Sequence, residues 1–257
     1  MKHPLVALLA VPLMLAACKG KVEATDPADV ACGGDEVVVE LTTADAVTLR
    51  ADLLPAAAAG QGAVVLFHMK PPGYHRGNWP PHVRAAIGAE GVTVLNVDRR
   101  GAGESEGTAE EAYEGPGALR DMEAAVRLLT DDALGCAVDP TRLVLVGASN
   151  GTTAVMDYAV AHDAALPDPA ALIWMSPGTY TENQNAIADH RATLDAAPIL
   201  WLYPTTEPWS SDFATGAPQS WSFVERGEQH GTKMFDGGEL EDQTVAEITG
   251  WVEAHIP

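Results

Sequence analysis

Cations are scarce in this 257-residue chain: Lys and Arg together number 15 against 36 Asp and Glu, a formal net charge of −21. A surface of that sign repels phosphate backbones and anionic headgroups, which argues against nucleic acid as a partner and against charge-driven membrane binding. The acidic residues are spread along the chain rather than gathered into a tail, so they read as a solvated, mutually repelling surface. There is no internal repeat, no second core and no His/Cys/Asp/Glu cluster with zinc-like spacing. Gly101-x-Gly103 lacks the remaining residues of a dinucleotide fingerprint and has no helix directly after it. Neither a metal nor an organic cofactor is therefore expected. With 47% hydrophobic and 6% aromatic residues, the chain suits one sizeable α/β domain, a class that commonly reaches this length undivided.

Long apolar runs are also missing. Residues 5–17, the run behind Met1-Lys2-His3, fall short of the roughly 20 residues that a membrane span requires, and they end in Leu15-Ala16-Ala17-Cys18. A charged start, a short apolar core and small residues before a cut site make a secretory signal peptide. The terminal four residues resemble the bacterial lipoprotein lipobox, which implies cleavage before Cys18 and acylation of that cysteine. Lys19 is not the aspartate that signals inner-membrane retention in enterobacterial lipoproteins, so the resemblance implies a lipid-anchored protein of the outer membrane. Residues 1–17 are then a signal peptide, 18–35 a lipidated tether and 36–257 the folded domain. Of the three cysteines, Cys32 and Cys136 remain, an even pair in an oxidising compartment, and a disulfide between them is predicted.

What is present is a succession of short apolar runs. Residues 36–41 and 47–54 read as an antiparallel entry, followed by buried strands at 63–68, 92–97, 143–146, 170–175, 198–203 and 221–225. Between them lie helical patterns, clearest where Leu119, Met122, Val126, Leu129 and Ala133 recur at spacings of three and four before Gly135. A closing helix carries Val245, Ile248, Trp251, Val252 and Ile256. The strand at 143–146 runs into Gly147-x-Ser149-x-Gly151, the spacing of a nucleophile elbow, with helical periodicity starting just after the serine. Such a turn lifts the Ser149 hydroxyl clear of the sheet and puts the Asn150 amide at a helix start, where it has no intrahelical acceptor.

A strand ending in His68, the Asp98-Arg-Arg-Gly-Ala-Gly-Glu-Ser105 loop and the Ser149 turn together resemble the α/β-hydrolase superfamily, in particular its lidless, dienelactone-hydrolase-like members. The resemblance covers roughly residues 36–257 and implies a mostly parallel eight-stranded sheet flanked by helices. It also implies a triad in the order serine, acid, histidine. His230-Gly231, after the last strand pattern, matches the catalytic histidine. Glu207-Pro208, after the strand at 198–203, stands where the acid belongs, and Asp212 is the alternative. His68-Met69-Lys70 departs from the common His-Gly, which leaves the second oxyanion donor open between the Met69 and Lys70 amides. His68, Asp98, Arg99 and Ser105 are expected to be scaffold.

A serine hydroxyl is a weak nucleophile at neutral pH and needs a histidine to take its proton and a carboxylate to orient that histidine. Ser149, His230 and Glu207 thus predict a serine hydrolase, with a catalytically degenerate binding or scaffolding lipoprotein as the alternative. Only residues 176–197 separate the sixth strand from the seventh, and one crossover helix at 182–194 fills most of that interval. Without room for a lid, the site should open to solvent between residues 70–79, Trp209 and the His230 loop, and should take small soluble acyl substrates. Trp79 and Trp209 read as cleft walls or as packing.

Overall fold

The structure is a computed structural model. It describes residues 22–113, 115–131, 134–178, 180 and 185–256; the expected signal peptide, Cys18 and Ala133 lie outside the described residues. Eight strands form one sheet: β1 (Val37–Thr42), β2 (Thr48–Leu54), β3 (Gln61–Phe67), β4 (Thr93–Asp98), β5 (Val138–Ala148), β6 (Ala171–Met175), β7 (Ile199–Tyr203) and β8 (Trp221–Glu225). Their spatial order is β1-β2-β4-β3-β5-β6-β7-β8. The β1–β2 and β2–β4 pairings are antiparallel and every other pairing is parallel. This is the expected α/β-hydrolase fold.

The apolar runs are continuous because both faces of the sheet are covered, and successive side chains feed opposite cores. In β3, Ala63, Val65 and Phe67 join the core beneath α2 (Gly117–Thr130) and α3 (Asn150–Ala161). Val64 and Leu66 join the other core, beneath α1 (Pro81–Gly88) and α6 (Glu239–His255). Met122, Val126 and Leu129 of α2 are buried at the expected spacing, as are Ile248 and Val252 of α6. Among the described residues no helix is long and apolar enough to cross a membrane.

Three expectations change. First, the described part of the tether is fastened to the domain. Asp26 caps a 3-10 turn at Pro27–Asp29, the Val22 carbonyl accepts from Arg50 (2.7 Å), Val30 is buried, and Cys32 forms the predicted disulfide with Cys136. Second, α2 ends at Thr130, so Gly135 does not cap it. A methyl group on Gly135 would come within 2.4 Å of the Ala28 carbonyl oxygen, so this glycine lets the N-terminal turn pack. Third, the described part of the β6–β7 connection holds a 3-10 turn at Ile187–His190 and a single α turn, α4 (Arg191–Leu194), rather than one long helix. A short helix, α5 (Trp209–Ala214), follows β7.

Candidate active site

The segments after β3, β5, β6, β7 and β8 all leave the carboxyl edge of the parallel sheet, where α/β proteins place their chemistry. Ser149 sits directly between β5 and α3 with φ 51° and ψ −123°, a backbone state that costs a non-glycine residue energy and persists only where the surroundings enforce it. The flanking glycines make it sterically feasible. A methyl on Gly147 would stand 2.5 Å from the Gly151 carbonyl oxygen, and one on Gly151 would stand 2.6 Å from that of Phe67. The Ser149 amide donates to the Met175 carbonyl (2.8 Å), and the Thr152 hydroxyl donates to the Ser149 carbonyl (2.6 Å). Ser149 is only 7% exposed, less open than the length of the β6–β7 connection suggests.

His230 follows β8, and Glu207 follows the adjacent β7. Their side chains meet through a hydrogen bond between Glu207 Oε1 and His230 Nδ1. A carboxylate at Nδ1 holds the ring proton there and leaves Nε2 as the basic nitrogen. Glu207 is 5% exposed. Asp212, the alternative acid, is exposed on α5, and its carboxylate has no hydrogen bond or ion pair among the described residues. Gly231 (φ 56°) brings this loop against the serine turn: a methyl on it would lie 3.6 Å from Ser149 Cβ and 2.5 Å from the Met69 sulfur.

Asn150 opens α3, so its amide points out of the helix without an intrahelical acceptor. Its side chain is locked, because Arg99 donates to Asn150 Oδ1 (2.8 Å) and to the Ala112 carbonyl (2.7 Å). Burial lowers the Arg99 guanidinium to about 10, and it remains a cation at neutral pH. Met69 is buried, whereas Lys70 is exposed and its ammonium stacks 3.9 Å over the Tyr113 ring.

His68 is committed elsewhere. The Arg99 amide donates to its Nε2 (3.0 Å), so Nδ1 carries the proton and donates to the Met69 carbonyl (2.7 Å). Burial, reinforced by the Arg99 cation, pushes this imidazole well below the ordinary histidine range. It is a neutral anchor for the loop that carries Met69 and Lys70. Asp98 likewise serves the scaffold, accepting from the Arg76 and Glu104 amides.

Two residues at the site, Ser176 and Tyr180, carry no sequence signal. Tyr180 stands edge-to-face with His230, their ring centroids 6.1 Å apart, and its hydroxyl donates to the Ser176 carbonyl. Burial, and then the charge of Glu207, push the Tyr180 phenol up, against a smaller opposing effect of a hydrogen bond with Ser149. Of the two tryptophans, Trp79 is fully buried against Phe235, while Trp209 is 45% exposed. Among the described residues no group of three or more His, Cys, Asp or Glu side chains is placed to hold a metal ion.

The sequence profile of the Alpha/beta hydrolase family matches residues 64–252. No curated protein matches the chain. Among solved structures, an esterase of Pyrococcus furiosus superposes with a TM-score of 0.68 at 14% identity, over 91% of this chain and 99% of that one. A dienelactone hydrolase from Anabaena variabilis gives 0.63 at 16%, over 87% and 99%. A monoacylglycerol lipase of Paleococcus ferrophilus gives 0.58 at 15%, over 80% and 99%. At such identities the likeness is one of fold.

Proposed function

The chain belongs to the alpha/beta hydrolase family, and on that premise we propose that it is a serine hydrolase cleaving small, water-soluble acyl substrates of the ester type. The observation that carries this reading is the Glu207–His230 contact through Oε1 and Nδ1, with the residue after His230 packed against Ser149 at its positive-φ turn. Ser149 Oγ attacks the acyl carbon while His230 Nε2 takes its proton. The charge that develops on the carbonyl oxygen is met by the Asn150 amide together with that of Met69 or Lys70. Collapse of the tetrahedral species returns the proton from His230 to the leaving alcohol and leaves an acyl-Ser149 ester. A water activated by His230 then reverses the sequence. Glu207 keeps the proton on Nδ1 throughout.

The short β6–β7 connection and the described elements within it support a substrate that needs no cap, so rates should fall as the acyl chain lengthens. A fluorophosphonate probe tests the chemistry: labelling of the native protein that vanishes in Ser149→Ala is expected, and an unlabelled native protein would point to a scaffold instead. A preference for long-chain over acetyl and butyryl esters, or a jump in rate at the micellar threshold, would overturn the substrate class.

The reading extends to location. Cleavage before Cys18 and its acylation would anchor the domain to the bacterial outer membrane. Mass spectrometry of the mature N-terminal peptide should find a lipidated Cys18, and Cys18→Ala should release the protein from membranes.

A further inference from the structure

Among the described residues three non-glycines have positive φ, and two of them, Ser149 and Ser176 (φ 52°), follow the neighbouring strands β5 and β6. The two serines are held alike. The Ser149 amide donates to Met175 at the end of β6 (2.8 Å), and the Ser176 amide donates to Leu202 near the end of β7 (2.7 Å). Glycine would adopt this conformation without cost, so a serine kept there, fully buried, calls for a use of its side chain. Its hydroxyl oxygen accepts from the Gly231 amide (2.9 Å), the residue directly after His230. Its carbonyl accepts from the Tyr180 phenol, whose ring abuts the His230 imidazole.

We propose that Ser176 and Tyr180 are positioning residues that brace His230 for the reaction: Ser176 Oγ pins the backbone behind the imidazole, and Tyr180, anchored on the Ser176 carbonyl, walls its ring. The inference rests on the serine-hydrolase reading. Glu207 fixes only Nδ1, and a ring held at one atom still pivots about that bond. Contacts to the ring and to the next amide remove that freedom. The imidazole then keeps its aim while it is alternately neutral and charged. The loop it rides on needs such support, since both Gly227 and Gly231 adopt positive φ and offer little stiffness of their own.

Ser176→Gly and Ser176→Ala separate bracing from folding. Both remove the Oγ acceptor, but glycine also relieves the positive φ, so Ser176→Gly should unfold at a higher temperature than Ser176→Ala, which keeps the backbone cost. On a short-chain ester both should lose kcat by about tenfold, the factor of one lost neutral hydrogen bond, with KM within about twofold. Tyr180→Phe keeps the ring and loses the phenol, and should show a smaller kcat loss of the same kind. Hydrogen exchange at the Gly231 amide should accelerate in both Ser176 variants. Wild-type kcat in Ser176→Gly, or unchanged exchange at Gly231, overturns the brace. A native protein without esterase turnover or fluorophosphonate labelling removes the hydrolase reading, and the brace as a catalytic device with it; active native protein with active Ser176→Gly removes the brace alone.

Discussion

Glu207 and His230 come from the loops after two adjacent strands, and the carboxylate meets the imidazole through Oε1, which pairs with Nδ1, while Oε2 is buried without a hydrogen-bond partner among the described residues. In the proposed triad the orienting role falls on that single contact, and substitution separates the two candidate acids. Glu207→Gln should lower kcat by about 10⁴, the loss seen when the orienting carboxylate of a serine protease is neutralised. Asp212→Asn, altering an exposed carboxylate on α5, should leave kcat within about twofold. The reverse ranking in steady-state ester assays would reassign the acid.

Gly151 is dispensable to no part of the serine turn. Because a methyl there meets the carbonyl oxygens of Phe67 at 2.6 Å and His68 at 2.7 Å, Gly151→Ala must push α3 away from β3. Overpacking of this kind costs about 1–3 kcal/mol, read as a fall in melting temperature of roughly 3 °C for each kcal/mol in a domain of this size. The same shift displaces the Asn150 amide, so kcat should fall further than stability alone accounts for.

Acid should expose the value of the Asp45 carboxylate. Hydrogen bonds from Arg100, then from Thr43 and Arg120, hold this group well below the usual carboxylate range despite partial burial. A depressed native pKa contributes stability above the unfolded-state value of about 3.9 and loses it as pH falls through the native value. Asp45→Asn should therefore lower the urea midpoint at pH 7, and the gap from wild type should narrow progressively below about pH 4. A gap that is constant with pH would show that packing, not charge, is what the substitution removes.

His68 should be silent in titrations. With Nε2 accepting from Arg99 and Nδ1 donating to Met69, nitrogen-15 NMR of the ring should show one fixed neutral tautomer from pH 5 to 8. A titration step near pH 6.5 on His68 would refute the anchoring role.

The Cys32–Cys136 bridge spans 104 residues of sequence, and in the chain-entropy account a loop of about that length contributes between 4 and 5 kcal/mol, roughly. Cys32→Ser should lower the unfolding free energy by up to that amount, with ester turnover at 25 °C retained because the bridge lies before β5, at the opposite end of that strand from Ser149.

The sheet was legible because burial on both faces leaves continuous aliphatic runs such as Val64, Val65 and Leu66, and a run of that kind has few other uses. The serine turn was legible because two glycines at fixed spacing answer a steric demand. Helix ends were less so. Gly135 looks like a stop signal, yet its missing side chain serves a contact with Ala28 that only the fold creates. Residues 182–194 have the length of one crossover helix, and their described part holds a 3-10 turn at Ile187–His190 and a single α turn instead. Ser176 and Tyr180 escape sequence reasoning for a different reason. Their contacts run to a backbone amide and a backbone carbonyl that only the fold brings near, and such contacts have no residue-type signature.

The strip from residue 22 to residue 34 has one more consequence. Its Thr25 amide donates to the Val38 carbonyl of β1 (2.7 Å), the outermost strand of the sheet, and its far end is bolted down at Cys136. An uncovered outer strand is a template on which another chain can add itself. The strip occupies part of that template, so the bridge sets colloidal behaviour as well as fold stability. Reduction would let the strip peel back and leave β1 open to strand addition while the rest of the domain stays native, so self-association would begin at temperatures well below unfolding.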